Sequence, residues 1–394
     1  MKHLFFFFCF VITALYCNGQ SAEIIHRKAI VVDTHNDALS SQTLNGVDIS
    51  FRQTKGHSDL DRWRDGRVDV QFFSIWTGEK PRSKSFYLDA NEEIDSLKRL
   101  ILRNYHRMAE ITHYRSIRRA VKKGKLACLI GVEGGHMIED DMAKLNALYL
   151  RGMRYLTLTW NNSTSWASSA MDETEHPAEL QHKGLNEFGK NVVRKLNELG
   201  VMIDLSHTGE QTFYDAIATT TKPVLVSHSS VWAICPVFRN LKDDQIKAVA
   251  KNKGVICINF YSGFLSKAYA QRSDELESGS PERKRIQDSL FAISNDSATM
   301  RQTWRDWYRK QMDVHRPTLS DMVDHIDYIV KLVGPDHVGL GSDYDGVSSV
   351  PVGLEDVTTY PKISDELFRR GYSRKNIRKI LGGNVMRVMK ENFK

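Results

Sequence analysis

The chain of 394 residues has few cysteines, and the few it has are badly placed for stapling. Of the 5, Cys9 and Cys17 fall in the first twenty residues, leaving Cys128, Cys235 and Cys257. An odd, widely spaced set is not a disulfide framework; one bridge at most can form, and the fold should not rest on it. There is no zinc-finger spacing, no Walker loop and no interleaving of aromatic with basic residues. The net charge of +7 therefore does not point to nucleic acid, and clusters such as Glu282-Arg283-Lys284-Arg285 and Arg374-Lys375 read as solvated helix faces. No internal repeat period is visible. The apolar run from Leu4 to Tyr16 is too short to cross a bilayer as a helix. Standing behind Lys2 and His3 and ahead of small polar residues, it reads as a secretory signal over residues 1–19, cut after Gly19. Lipid attachment at Cys17 is disfavoured by the bulky Tyr16 before it. The polar "VMKENFK" at the other end shows no anchor tail. The expectation is an exported protein, periplasmic or secreted, with no transmembrane helix and one domain over residues 20–394.

What is present is ordinary globular material, 41% hydrophobic and 26% charged. Eight short apolar runs end in turn or polar residues: 29–37, 68–76, 126–135, 153–160, 200–208, 223–230, 254–261 and 337–346. Between them lie segments of helical period. "NEEIDSLKRLILRNYHRMAEITHYRSIRRAV" reads as one long amphipathic helix, and "GLNEFGKNVVRKLNELG" ends on Gly200, a natural stop. "LKDDQIKAVAKNKG" and "TLSDMVDHIDYIVKLVG" repeat the design. Strand and helix alternating eight times predict a parallel (β/α)8 barrel of the TIM type, its near-continuous apolar strands buried on both faces. Residues 38–66 and a helix-leaning, charged insertion at 264–317 follow strands, so both should stand over the C-terminal rim, where active sites of this fold lie.

The ends of the strands carry the chemistry. His35 and Asp37 close the first, Glu133 the third, His207 the fifth, His228 the sixth, and Asp343 with Asp345 the eighth. Singly, each is a common capping or hydrogen-bonded residue; five such groups at one end of successive strands are a candidate metal clamp. Three imidazoles and two carboxylates suit zinc, and they outnumber the three protein ligands of a single catalytic ion. Two ions follow, with His35 and Asp37 on one, His207 and His228 on the other, and Glu133 between them. Asp33 is in phase with the pair as a supporting partner or a cap. Asp343 is left to move a proton, with Asp345 as its in-phase competitor. His136, His325 and Tyr261 are candidates for packing more than for chemistry.

The set "DTHND", "GVEGGH", "RYLTLT", "DLSH", "VSHSS", "FRN", "NFY", "GSDYDG" and "LGGNVMRV", in this order over residues 29–388, resembles the membrane dipeptidase (renal dipeptidase) family of binuclear zinc hydrolases. The resemblance implies the same ligand division, a metal-bridging hydroxide that attacks the carbonyl of a dipeptide, and Asp343 as acid/base. It implies cleavage of dipeptides that include those with a C-terminal D-residue, and a homodimer. It also implies that Arg239, by its sequence alone a solvated loop arginine, clamps the substrate carboxylate with its planar fork. One departure stands out. Where better-known members carry a substrate-contacting histidine after "TLT", this chain has Trp160, followed by Asn161 and Asn162. Either asparagine could donate an amide hydrogen bond in its place, Asn162 being in phase with Trp160. Alternatively the substrate is another amide, a lactam or an ester.

Overall fold

The computed structural model describes residues 22–276, 279–291 and 296–393. The expected signal segment lies outside the described residues. Eight strands close into a parallel barrel: β1 (Val32–Asp33), β2 (Val70–Trp76), β4 (Leu126–Glu133), β5 (Met153–Thr157), β6 (Met202–Asp204), β7 (Leu225–Ser229), β8 (Val255–Ile258) and β9 (Val338–Leu340). Pairing of β2 with β4, from Val70 opposite Ala127 to Trp76 opposite Glu133, and of β1 with β9 through Asp33 and Leu340 completes the ring. The (β/α)8 architecture expected from the sequence is what forms.

The long helix read into residues 91–121 is not continuous. A helix at Phe86–Arg103 stops at Asn104, a short strand β3 (Met108–Glu110) pairs with the start of β4, and a second helix follows at Tyr114–Lys122. β5 joins β4 only from Ile130 onward, so the first residues of β4 present a free edge that β3 covers. Helical periodicity could not reveal this, because the need arises from a neighbour's register. Elsewhere the stop signals act as expected: the helix Glu187–Leu199 ends on Gly200 in the left-handed conformation, φ 76°. Cys128, Cys235 and Cys257 are all buried and free, so no bridge forms among them. Among the described residues no helix is long and apolar enough to cross a membrane.

Alternation along each strand splits the apolar side chains between two cores. Phe73, Ile75, Ile130, Val132, Ile203, Val226 and Ile256 face outward to the helices. Val32, Val70, Phe72, Leu129, Met202, Leu225 and Val255 face inward, and the C-terminal helix Asn384–Asn392 packs Val385, Met386, Val388 and Met389 against them. The Lys379–Gly383 turn that leads into this helix approaches the barrel closely: a Cβ on Gly382 would stand 2.2 Å from the Ile30 carbonyl oxygen. Burial of each such large side chain stabilises the fold by about 1.5–3 kcal/mol. Further along the strands the interior turns polar, with Ser74, Glu133, Thr157, Asp204 and Ser227 all buried.

Candidate metal centre

The polar interior leads to a cavity of about 470 Å³ at the C-terminal rim, within the usual size range of small-molecule sites. Asp37, Glu133, His207, Arg239 and Asp343 line it. The structure brings together the five side chains singled out as ligands. Glu133 lies at their centre, with Oε2 3.3 Å from His35 Nε2 and Oε1 3.0 Å from His207 Nε2 and 3.4 Å from His228 Nε2. His35 Nε2 is also 3.2 Å from Asp37 Oδ2. One carboxylate thus faces one imidazole with one oxygen and two with the other.

Each imidazole is aimed by a hydrogen bond on its far nitrogen. His35 Nδ1 meets the Tyr155 hydroxyl at 2.8 Å, and His207 Nδ1 meets Asn161 Oδ1 at 2.9 Å. His228 Nδ1 meets Ser227 Oγ at 2.8 Å, and that hydroxyl donates to the buried Asp204 carboxylate at 2.6 Å. Asp204 is fixed in turn by Thr157 and the Ser227 and Ser206 amides. This is the outer support that metal-ligating histidines require, orienting the ring and leaving Nε2 toward the centre. Tyr155 can lie across the barrel because Gly131 is opposite; a Cβ there would stand 1.9 Å from its ring. Sequence reasoning missed Tyr155, Ser227 and Asp204. The available signal was a tyrosine hydroxyl and a carboxylate inside apolar strands, both of which need partners when buried.

The donor set fits a cation. His35 Nε2 is buried without a hydrogen bond, although three carboxylates surround it within 3.9 Å. Without an ion the charges balance poorly. Burial acts to lower the His35 pKa, but Tyr155, Glu133 and Asp37 outweigh it and hold it well above its ordinary value. Burial drives His207 down to about 3 and His228 well below normal. Glu133 is held low because its three histidines overcome its burial. Imidazole nitrogen with carboxylate oxygen is the set that zinc and similar borderline ions take.

Asp343 sits beside this cluster, Oδ1 3.9 Å from His35 Nε2 and Oδ2 accepting from Asn259 Nδ2 at 2.9 Å. Burial raises its pKa well above the usual range, opposed by His35 and reinforced by Asp37 and Glu133. Its backbone and that of His207 are left-handed, at φ 59° and 62°, a strained geometry that clusters at functional sites. Asp345, the in-phase competitor, is drawn off. Its Oδ1 accepts the His57 amide at 2.6 Å, and its own amide donates to His57 Nδ1 at 2.9 Å, tying the 38–66 connection to the rim. Asp33 acts as a cap: it accepts from the Ser342 amide and hydroxyl and from the His35 amide.

Arg239 is not solvated. It is 4% exposed, Nη2 donates to the His228 carbonyl at 3.2 Å and Nη1 to Ser229 Oγ at 3.3 Å, while its Nε has no partner. Burial lowers its pKa to about 10. The ring of Phe264, in the 264–317 insertion, lies 5.2 Å from its guanidinium. Trp160 lines the cavity, edge-on to Trp76 at 5.2 Å and 6.2 Å from the His207 ring. Asn161 lines it too; Asn162 does not, its amide nitrogen turning to the Ser163 carbonyl. Tyr261 faces the cavity while packing edge-on against Phe264 and Tyr269. His136 is buried away from the cavity against Phe86, and burial lowers its pKa to about 4. His325 is likewise structural, bonding the Val231 amide and the Leu265 carbonyl.

A model of the membrane dipeptidase family, peptidase family M19, matches residues 19–393. Dipeptidase 3 of Mus musculus is 32% identical over 377 residues, 94% of this chain and 66% of the relative. Its counterpart in Rattus norvegicus is 32% identical over 378 residues, 94% of this chain and 67% of the relative. The chain thus spans 66% and 67% of the length of these relatives. Among solved structures, the probable dipeptidase PvdM from Pseudomonas aeruginosa has a TM-score of 0.78 at 24% identity, covering 95% of this chain and 98% of that one. A metallo peptidase from Rhodobacter sphaeroides, liganded with a phosphinate mimic of the dipeptide L-Ala-D-Ala, has a TM-score of 0.73 at 22% identity, covering 93% and 100%. At these identities the solved structures speak for the barrel alone.

Proposed function

Because the chain belongs to the membrane dipeptidase family of peptidases, family M19, we propose that it is an exported, zinc-dependent hydrolase of dipeptides, including those ending in a D-residue. The observation that carries the reading is the divided Glu133 carboxylate, one oxygen toward His35 and the other toward His207 and His228. His35 and Asp37 would hold one zinc, His207 and His228 a second, and Glu133 would touch both. Bound zinc supplies a polarised carbonyl and a water acidic enough to react at neutral pH.

The protein's own groups do the rest. Arg239, already desolvated and with a free Nε, pairs with the substrate carboxylate and sets which bond lies over the centre. Asp343, held by Asn259 on one oxygen, takes a proton on the other and gives it to the departing amine. The aromatic lining, with Trp160 among it, keeps bulk water out. Asn162 was a candidate donor to the substrate; the position of Asn161 on the cavity wall suits that task better. Trp160 also favours a second reading, hydrolysis of another amide, lactam or ester by the same centre.

Metal analysis of the purified protein, joined to hydrolysis of L-Ala–D-Ala and L,L-dipeptides with and without chelator, tests this. Two zinc ions per chain and chelator-sensitive cleavage are expected. Asp343→Asn should keep its metal and lose about 10²–10⁴-fold in kcat. Two zinc ions without dipeptide cleavage would transfer the reading to another substrate; no metal would end both readings.

A further inference from the structure

The cavity has an acidic and imidazole floor but an uneven wall. Around the ring the strands run β1, β2, β4, β5, β6, β7, β8, β9, so β2 stands across the barrel from β7. Arg239 follows β7. Trp76 ends β2 and Trp160 follows β5, so the two indoles flank Glu133 at the end of β4. They pack edge to face, ring centres 5.2 Å apart at 69°, and both are half-buried where they line the cavity. A basic clamp thus stands on one side of the cluster and a continuous indole surface on the other.

This surface is held rather than loose. Glu93, buried in the helix Phe86–Arg103, accepts the Trp76 amide at 2.7 Å, and Arg82 donates to the Trp76 carbonyl at 3.0 Å. Arg82 and Glu93 are themselves paired at 2.7 Å. Both backbone groups of Trp76 are therefore gripped by one ion pair, and Trp160 rests on the ring so positioned. A rigid aromatic surface of this kind recognises an apolar or aromatic side chain at low entropic cost.

We propose that Trp76 and Trp160 form the pocket for the side chain of the substrate's N-terminal residue, and that they select large apolar or aromatic groups there. The inference rests on the dipeptide reading, in which Arg239 takes the carboxylate. Two residues span only about 7 Å when extended, so a dipeptide anchored on Arg239 with its peptide bond over Glu133 points its first side chain at the far wall. Glu93 and Arg82 are positioning residues for that wall.

The test is calorimetric binding of two phosphinate dipeptide mimics to the zinc-loaded protein. They differ only in the N-terminal side chain, methyl against benzyl. Wild type should bind the benzyl compound at least about 10-fold tighter, the scale on which hydrophobic pockets discriminate. Trp160→Ala and Trp76→Ala should bring the ratio to within about 3-fold, chiefly by weakening the benzyl compound. Arg82→Gln should lower the ratio partway, and Arg82→Lys should restore it. Equal binding in wild type, no binding of either compound, or a ratio that survives both tryptophan substitutions would overturn the proposal. Hydrolysis of the matching Ala- and Phe-initiated dipeptides is read separately. Cleavage without side-chain preference retains the peptidase and removes the pocket; selective binding without cleavage retains the pocket and removes the peptidase.

Discussion

The two ends of this barrel are made by the same eight strands and obey opposite rules. At the N-terminal end the inward positions are Val32, Val70, Phe72, Leu129, Met202, Leu225 and Val255, closed off by Val385, Met386 and Met389. A few residues further along the same strands, the inward positions are Ser74, Glu133, Thr157, Asp204 and Ser227. The first end is stabilised by area removed from water and by close packing. The second buries ionisable groups at a cost that partners must offset, and His35 Nε2 and Arg239 Nε are left without a hydrogen bond. One end holds the fold together; the other buries charges that a bound ion would relieve.

Substitutions at the two ends should therefore separate stability from chemistry. The largest effect is expected from Glu133→Ala. It removes the group that all three histidines face, so dipeptide hydrolysis should fall to background and zinc content should drop by metal analysis, with the barrel retained by circular dichroism. Retained zinc would dissolve the contrast between the ends. At the apolar end, Met389→Ala should cost about 2–5 kcal/mol in denaturant unfolding of the metal-free chain. The surviving folded protein should keep its zinc affinity and kcat. A loss of zinc affinity there would mean that the two ends are coupled.

The rim itself contains a control for the comparison. His325 is as buried as the centre's histidines, but the Val231 amide and the Leu265 carbonyl satisfy both its nitrogens. Burial lowers its pKa from 6.5 to about 4. The folded value lies below the unfolded one, so its contribution is complete above pH 6.5 and is lost as pH falls toward 4. The span of the shift amounts to about 3 kcal/mol. Unfolding measured at pH 7 and pH 4.5 should show a smaller acid penalty in His325→Gln than in wild type; an unchanged penalty would place the sensitivity elsewhere. The smallest effect is expected from Tyr155→Phe. It removes only the hydroxyl that orients His35, so zinc affinity should fall about 10–100-fold. Competition with a chelator reads this directly, and an unchanged affinity would show that strand packing alone aims the ring.

Much of this was legible because strand ends are local. "VVDTHND", "GVEGG", "DLSH" and "VSHSS" each announce an apolar strand stopping at an ionisable residue, and the fold repeats that arrangement around a ring. The supporting contacts were not legible, since they join residues far apart in the chain. Tyr155 reaches His35 across 120 positions and needs Gly131 to make room. Arg239 looked solvated because its neighbours, the His228 carbonyl, Ser229 and the Phe264 ring, come from other parts of the chain. Asp345 and Asp343 were equivalent until His57 captured one of them. β3 hid inside a helical pattern because only the late start of β5 leaves an edge for it.

The sequence by itself determined the alternation of strand and helix, and with it the barrel and the end at which its chemistry stands. Local hydrophobic period and the residue type at each strand terminus are enough for that. Tertiary structure alone decided which nitrogen of each histidine faces the centre, which of the two rim carboxylates is tied to His57, and which two tryptophans meet. Those outcomes depend on closure of the ring, where distances of a few ångström are set by registers and cross-barrel packing that no single segment contains.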